Sequence, residues 1–395
     1  MRTANWMGRP ELGLDDKALH EVTLPGSHDA GLYLISASGS LATKAVKADV
    51  FITQDLHIWD QLRAGSRFFD LRVAECSTGI LSSELRLVHA FEPPLMRGSG
   101  YFGKFGERIE AVLYQIRKFM ESEEAKTGGV NKEVVILRFA HLTDSVRSKL
   151  IPLISDFLQY AQREEHHTSW MGLERPTQYK PCMQRDLRFC MPEPNNLAQC
   201  PLRLLQGKVL VAIEGLTSFE EVSLAQRGIF VYEKYTDEVP AVRTVSQPGK
   251  YLFSKKDSYT EPYSRLGLHV CGHFSNTLEF EQLKTSQSKI LSRHMTGHTA
   301  DHLCQVYWTH TDNSLLSQGV RQNSAPILSD LDQASAGTAI DALIGAGGGS
   351  PNIILLDFIS GERSEQVIKH NLPRSPRRVA IHKRPSFGRN SSMDP

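Results

Sequence analysis

The sequence predicts an α/β protein: an irregular (β/α)8 barrel of the TIM type, with a long insertion and a disordered C-terminal tail. Three observations carry that expectation. Short apolar, β-rich runs alternate with amphipathic helical stretches along most of the chain. The runs centre near residues 22, 70, 87, 136, 211, 231, 307 and 355, the strand count of a closed barrel. Polar side chains recur at or near the C-terminal ends of these runs, where packing alone would favour apolar ones: His28, Asp29, Asp70, Arg72, His89, Glu214, Glu233 and Asp357.

The elements follow in order. Val22-Thr23-Leu24 is a short strand ended by Pro25-Gly26. A helix is expected over 53–64, with Leu56, Trp59 and Leu62 on one side and Gly65 closing it. Residues 67–74 form a strand in which period two places Asp70 and Arg72 on one face. Residues 85–89 form another. A helix over 104–126 carries Ile109, Val112, Leu113, Ile116, Phe119 and Met120 at helical spacing and stops at Gly128-Gly129. A buried-type strand over 133–139 and an amphipathic helix over 145–162 come next. Residues 163–206, rich in Pro, Asn, Gln and Cys, read as an irregular insertion. Strands then return over 208–214, 229–232, 305–309 and 352–358, with a helix over 334–346 and a last short one over 362–370. Residues 1–372 are expected to form one barrel domain, and 373–395 a disordered basic tail.

Bulk properties narrow the function. With 395 residues, 40% hydrophobic and 23% charged, the chain has the composition of a soluble globular protein. A net charge of +1 gives no global field toward nucleic acid. No apolar run reaches transmembrane length and no signal peptide is seen, so a cytoplasmic or signal-independent exported monomer, peripheral at membranes, is expected. The six cysteines show no CxxC pair and are expected as free thiols; a zinc site among Cys182, Cys190, Cys200 and His166 or His167 fits no standard spacing.

Leu24-Pro25-Gly26-Ser27-His28-Asp29-Ala30-Gly31, then Gln61-Leu62 through Gly65, Arg67-Phe68-Phe69-Asp70-Leu71-Arg72, then Leu87-Val88-His89, and finally Pro351-Asn352 through Asp357-Phe358-Ile359 form a set. Together they resemble the motifs of the X-domain of phosphatidylinositol-specific phospholipases C. The resemblance spans about residues 20–372, with specific motifs at its two ends only. It implies a barrel and a phosphodiester cleavage in two steps. His28 would be the general base and His89 the general acid, with Asp357 orienting His28 and Asp29 serving His89. Arg72 would hold the phosphate oxygens, and Asp70 would fix Arg72. The substrate would be a phospholipid with an inositol head at a membrane surface.

Arg72 also bears on metal. Calcium-dependent relatives place a second carboxylate two residues after the first, whereas here the motif reads Asp70-Leu71-Arg72. The guanidinium supplies the cation, so neither a catalytic metal nor another cofactor is expected. Ala90 stands where many relatives have Gly. Ile229 to Tyr235 resembles the ring-contacting strand of bacterial relatives, which suggests Glu233 and Tyr235 for substrate binding, with Arg138, His141 and Glu214 as further candidates. Trp6, Trp170, Tyr101 and Phe102 are candidate rim aromatics. His294, His298 and His302 recur at i, i+4 and i+8, a spacing that binds metal on a helix, although an exposed polar face is the commoner meaning. Two rival readings remain: a metal-dependent phosphodiesterase acting on another head group, and an inactive barrel that binds lipid head groups.

Overall fold

In chain order the strands are β1 (Leu24–Ser27), β2 (Ala37–Ser38), β3 (Phe68–Ser77), β4 (Ser83–Phe91), β5 (Phe102–Arg108), β6 (Lys126–Thr127), β7 (Val130–Asn131), β8 (Val134–Ala140), β9 (Lys208–Glu214), β10 (Ile229–Tyr235), β11 (Leu268–Cys271), β12 (Leu303–Trp308) and β13 (Ile353–Leu356). The computed structural model describes residues 3–39, 51–77, 82–91, 102–159, 186–190, 196–216, 223–235, 267–275, 277, 279–296, 301–309 and 350–373. Strands β1, β3, β8, β9, β10, β11, β12 and β13 pair in parallel in that order, and β13 returns to β1, closing a TIM-type barrel.

Strand periodicity sorts the side chains. Leu24, Phe68, Ile136, Leu210, Phe230, Leu268, Leu303 and Ile353 fill the interior. Their sequence neighbours Phe69, Leu137, Val209, Val211, Ile229 and Val231 join the outer core, which the helices Ile109–Glu121 and Asp144–Gln159 cover. β8 is buried at every position, as expected for a strand covered on both faces.

The expected strand count was reached with one wrong member and one missing. The run near residue 87 is not a barrel stave. It is β4, antiparallel to the outer half of β3, with Val73 opposite Leu87, and it continues through β5 to β2 as a side sheet. Its alternating polar and apolar residues suit such a strand better than a parallel one. The missing stave is the four-residue β11, Leu268–Cys271.

Two helix starts also move. The expected 104–126 helix begins at Ile109, because residues 102–108 form β5. Gly106 passes so close to β1's loop that a Cβ there would lie 2.3 Å from the Gly31 carbonyl oxygen. The helix expected from residue 53 begins at Ile58. Of the 163–206 stretch, the described parts are built into the barrel: Leu187, Leu197, Ala198, Leu202 and Leu205 are buried, and Asn196 bridges to Gly267. The expected 334–346 helix, the 374–395 tail, Trp170, Tyr101 and the side chain of Phe102 lie outside the described residues.

The N-terminal end of the barrel is plugged by the short turns Trp6–Gly8 and Pro10–Leu12. Trp6, a candidate rim aromatic, is instead fully buried there and donates Nε1 to the Gly65 carbonyl at 3.0 Å. Beneath it Arg67 and Glu133 form a wholly buried ion pair, Nε to Oε2 2.6 Å, and Glu133 also accepts from Met7 N at 3.0 Å. Arg9 forks onto Glu365 with two bonds of 3.0 Å, tying the N-terminal segment to the last helix, Gly361–Ile368. No helix among the described residues is long and apolar enough to cross a membrane.

Candidate active site

The same alternation that fills the barrel floor with apolar side chains carries polar ones inward at the C-terminal ends. His28 follows β1, Asp70 and Arg72 lie on β3, Arg138 on β8 and Asp357 just after β13. β4 lies outside the barrel but brings His89 to the same place.

His28 is the hub. Its Nδ1 lies 2.8 Å from Asp357 Oδ1, and its Nε2 lies 3.2 Å from Arg72 Nη2 and 3.6 Å from Asp29 Oδ2. Asp29 faces three partners: its Oδ1 meets Arg72 Nε at 2.8 Å, and its Oδ2 lies 3.7 Å from His89 Nδ1. The expected pairing of Asp29 with His89 is thus shared with Arg72 and His28, and His89 Nδ1 lies nearer the Phe51 carbonyl, at 3.3 Å. Asp70 was expected to fix Arg72. It lies 3.5 Å from Arg72 Nη2 but 2.6 Å from Arg138 Nη1, so Arg138 is its nearer partner. Arg138 in turn reaches Glu214 at 3.8 Å, and Glu214 accepts from His141 N at 3.2 Å.

Charge and burial set the protonation states. Burial opposes the charge on His28, but Asp29 and Asp357 outweigh it, and its pKa stands raised. Burial lowers His89; Asp29 does not compensate, and Arg72 and His28 add to the lowering. Burial pushes the Asp70 carboxyl up, yet Arg138 and Arg72 hold it far below the ordinary carboxylate range. Burial likewise opposes the charge on Arg72, and Asp29 and Asp70 more than restore it.

The backbone is strained at this rim. Asp29, His141 and Phe358, each just past a barrel strand, have φ of 40°, 58° and 47°. Left-handed residues of this kind cluster where a site must be held in one shape.

Not every expected residue joins the cluster. Glu233 lies on the outer face of β10 and pairs with His269 Nδ1 at 3.2 Å. Its neighbours Tyr232 and Lys234 point inward instead. Tyr232 stacks under Arg138, 4.7 Å from guanidinium carbon to ring centroid, and Lys234 donates to Tyr307 Oη at 2.7 Å. Tyr307 stands edge-on to His28, with ring centroids 6.1 Å apart. A one-residue shift in register separates the expected pair from the one that faces the site. Tyr235 ends β10, and its side chain lies outside the described residues.

Sequence reasoning also missed Phe51 and Lys104, as well as Thr53 and Gln54, which it reads as the start of a helix. Lys104 is buried directly opposite His89 on β5 and donates to Ser38 Oγ at 2.9 Å. Of the histidine row, His302 lies in the turn before β12, not on the helix Phe280–Thr296, and His298 is outside the described residues. Cys200 is a free, buried thiol pushed up to about 11 by burial, and Cys190 is also free; Cys182, His166 and His167 are outside the described residues. Among the described residues, His28, Asp29 and Asp70 are the group whose ligand atoms lie close enough together, within 4.8 Å, to hold a metal. Arg72 already bridges all three.

No protein-family model matches the chain. A PI-PLC X domain-containing protein of Dictyostelium discoideum is 41% identical over 129 residues, 30% of this chain and 20% of that protein. Human PI-PLC X domain-containing protein 2 is 27% identical over 179 residues, 42% of this chain and 46% of its own. The chain thus spans less than half the length of the curated relatives it matches. The solved phosphatidylinositol-specific phospholipase C of Staphylococcus aureus superposes with a TM-score of 0.54 at 15% identity, covering 94% of this chain and 98% of that one, a likeness of fold. In the motifs at residues 24–31, 61–72 and 351–359 and in its barrel, the chain is similar to the PI-PLC X-domain proteins.

Proposed function

We propose that this chain is a metal-independent phosphodiesterase of the phospholipase C type, acting on phosphatidylinositol-type lipids at a membrane surface. One observation carries the reading. A histidine oriented by a carboxylate on one nitrogen faces an arginine on the other, and a second histidine sits across a shared aspartate.

The chemistry follows from that arrangement. With Nδ1–H donated to Asp357, neutral His28 presents the Nε2 lone pair. When a phosphate oxygen takes over the Arg72 N–H, that lone pair is released to accept the proton of the inositol 2-hydroxyl. The hydroxyl oxygen bonds to phosphorus, and the phosphorus–oxygen bond to diacylglycerol breaks. His89 gives its proton to the departing oxygen, leaving a 1,2-cyclic phosphate. In the second step His89 takes a proton from water, the water oxygen bonds to phosphorus, the bond from phosphorus to the 2-oxygen breaks, and His28 returns its proton to that oxygen. Arg72 spreads positive charge over the non-bridging oxygens throughout.

The metal-capable trio has a specific observation behind it, but the guanidinium bonded to all three members supplies the charge that an ion would bring. Vesicles of phosphatidylinositol and of other phospholipids, incubated with the protein with and without chelator, test the reading. Release of cyclic inositol phosphate in chelator supports it. Turnover only with added divalent ion, or none on any inositol lipid, overturns it.

A further inference from the structure

The segment Phe51–Gln54 touches the carriers of every group assigned to the two proton transfers, yet none of its residues belongs to the motifs that define the site. Gln54 is wholly buried. Its Nε2 donates to the carbonyls of His28 and Leu356, each at 2.9 Å, and its Oε1 accepts from Ile359 N at 3.0 Å. Thr53, also buried, donates Oγ1 to the Asp29 carbonyl at 3.0 Å, and its own carbonyl accepts from Phe358 N at 2.8 Å. The Phe51 carbonyl lies 3.3 Å from His89 Nδ1, and its ring stands edge-on to the imidazole, with centroids 5.7 Å apart.

These contacts fall where the β1–β13 ladder comes apart. His28 N still donates to the Leu356 carbonyl at 3.0 Å; beyond it the two chains diverge through the left-handed residues Asp29 and Phe358. Residues in that conformation persist only where their surroundings hold them. Thr53 and Gln54 hold them from one side. Arg363 holds them from the other, donating Nη1 to the carbonyls of Asp357 at 2.8 Å and Phe358 at 2.9 Å. A buried glutamine whose polar atoms bond the backbone of two separate loops fixes the distance between those loops.

We infer that Thr53 and Gln54 are positioning residues that hold His28 and Asp357 in register, while the Phe51 carbonyl holds His89 with Nδ1 protonated and Nε2 free for the leaving oxygen. The inference rests on the assignment of His28 as base and His89 as acid. Neither Thr53 nor Gln54 is placed to touch the substrate.

The test combines turnover with histidine titration followed by NMR on the full chain. Gln54→Leu and the near-isosteric Gln54→Glu both remove the donors to His28 and Leu356. On phosphatidylinositol vesicles each is expected to lower kcat by about 100-fold with KM changed less than about threefold. The neutral variant Gln54→Leu also moves the His28 titration midpoint from its raised position toward ~6.5, as the imidazole loses its alignment with Asp357. Thr53→Ser, which keeps the hydroxyl, retains near-parental turnover, and Thr53→Val does not. Should Gln54→Leu fail to fold, Gln54→Glu and the Thr53 pair still decide. The titration does not depend on which lipid is cleaved, so a wrong substrate leaves it intact. An unchanged His28 midpoint in folded Gln54→Leu, undiminished turnover in Gln54→Glu, or equal loss in Thr53→Ser and Thr53→Val overturns the inference.

Discussion

His28 and Asp357, 329 positions apart in the chain, share a 2.8 Å hydrogen bond across the seam where the last barrel strand closes on the first. The parallel pairing of β1 with β13, Ser27 opposite Leu356, makes that bond possible: each residue is the next one along from a paired position. Asp357→Asn keeps the shape but can leave the imidazole in the wrong tautomer. It is expected to cut kcat by about 10³-fold or more, and His28→Ala and His89→Ala by about 10²–10⁴-fold each. Single-turnover assays on phosphatidylinositol vesicles check this, and unchanged rates in either histidine variant would remove the base and acid assignments.

Arg72→Lys separates charge from geometry. Arg72 meets Asp29 through Nε, and Asp70 and His28 through Nη2. A lysine carries the charge but lacks the planar fork. Turnover is expected to fall by about 10²–10³-fold, with the secondary structure intact by circular dichroism.

The pH profile has an inverted order of groups. In the proposed roles His28 must be neutral while its pKa is raised, and His89 must be protonated while its pKa is lowered. The competent state is therefore a minor population whose share is constant between the two pKa values. The kcat/KM profile is expected to be a bell whose acid limb follows the lowered His89 pKa and whose alkaline limb follows the raised His28 pKa. Asp29 raises both imidazoles, so Asp29→Asn is expected to move both limbs to lower pH. A profile in which Asp29→Asn leaves both limbs in place contradicts this electrostatic account.

Stability is most exposed at the other end of the barrel. Glu133→Ala leaves the Arg67 guanidinium buried without its carboxylate and orphans the Met7 N–H. A loss of about 3–5 kcal/mol is expected in denaturant unfolding, with no change at the active-site end. A loss below about 1 kcal/mol would show that the N-terminal plug had rearranged to admit water.

The catalytic candidates were legible because their spacing is local. The residues His28-Asp29 and Asp70-x-Arg72 sit at fixed offsets within short strands, and period two alone places Asp70 and Arg72 on one face. The substrate-binding candidates were less so. Glu233 and Lys234 are adjacent, and a one-residue difference in where β10 enters the barrel decides which of them faces the site. Local pattern could not make that choice, because both faces of the strand are covered. Gln54 was invisible for another reason: its partners are backbone atoms near residues 28 and 356, and backbone acceptors leave no mark in a sequence.

By itself, then, the sequence determined that this is an alternating α/β chain whose strand ends carry two histidines, an arginine and several carboxylates. These are properties of neighbours within a few residues of one another, set by strand and helix periods and by local side-chain chemistry. Only the tertiary structure decided which eight strands close the barrel. It also decided that β4, outside the barrel, brings His89 to the site, that Asp29 is shared among three partners, and that Asp70 turns first to Arg138. The physical reason is that closure brings together residues far apart in the chain, and burial makes every charge depend on the neighbours that closure supplies.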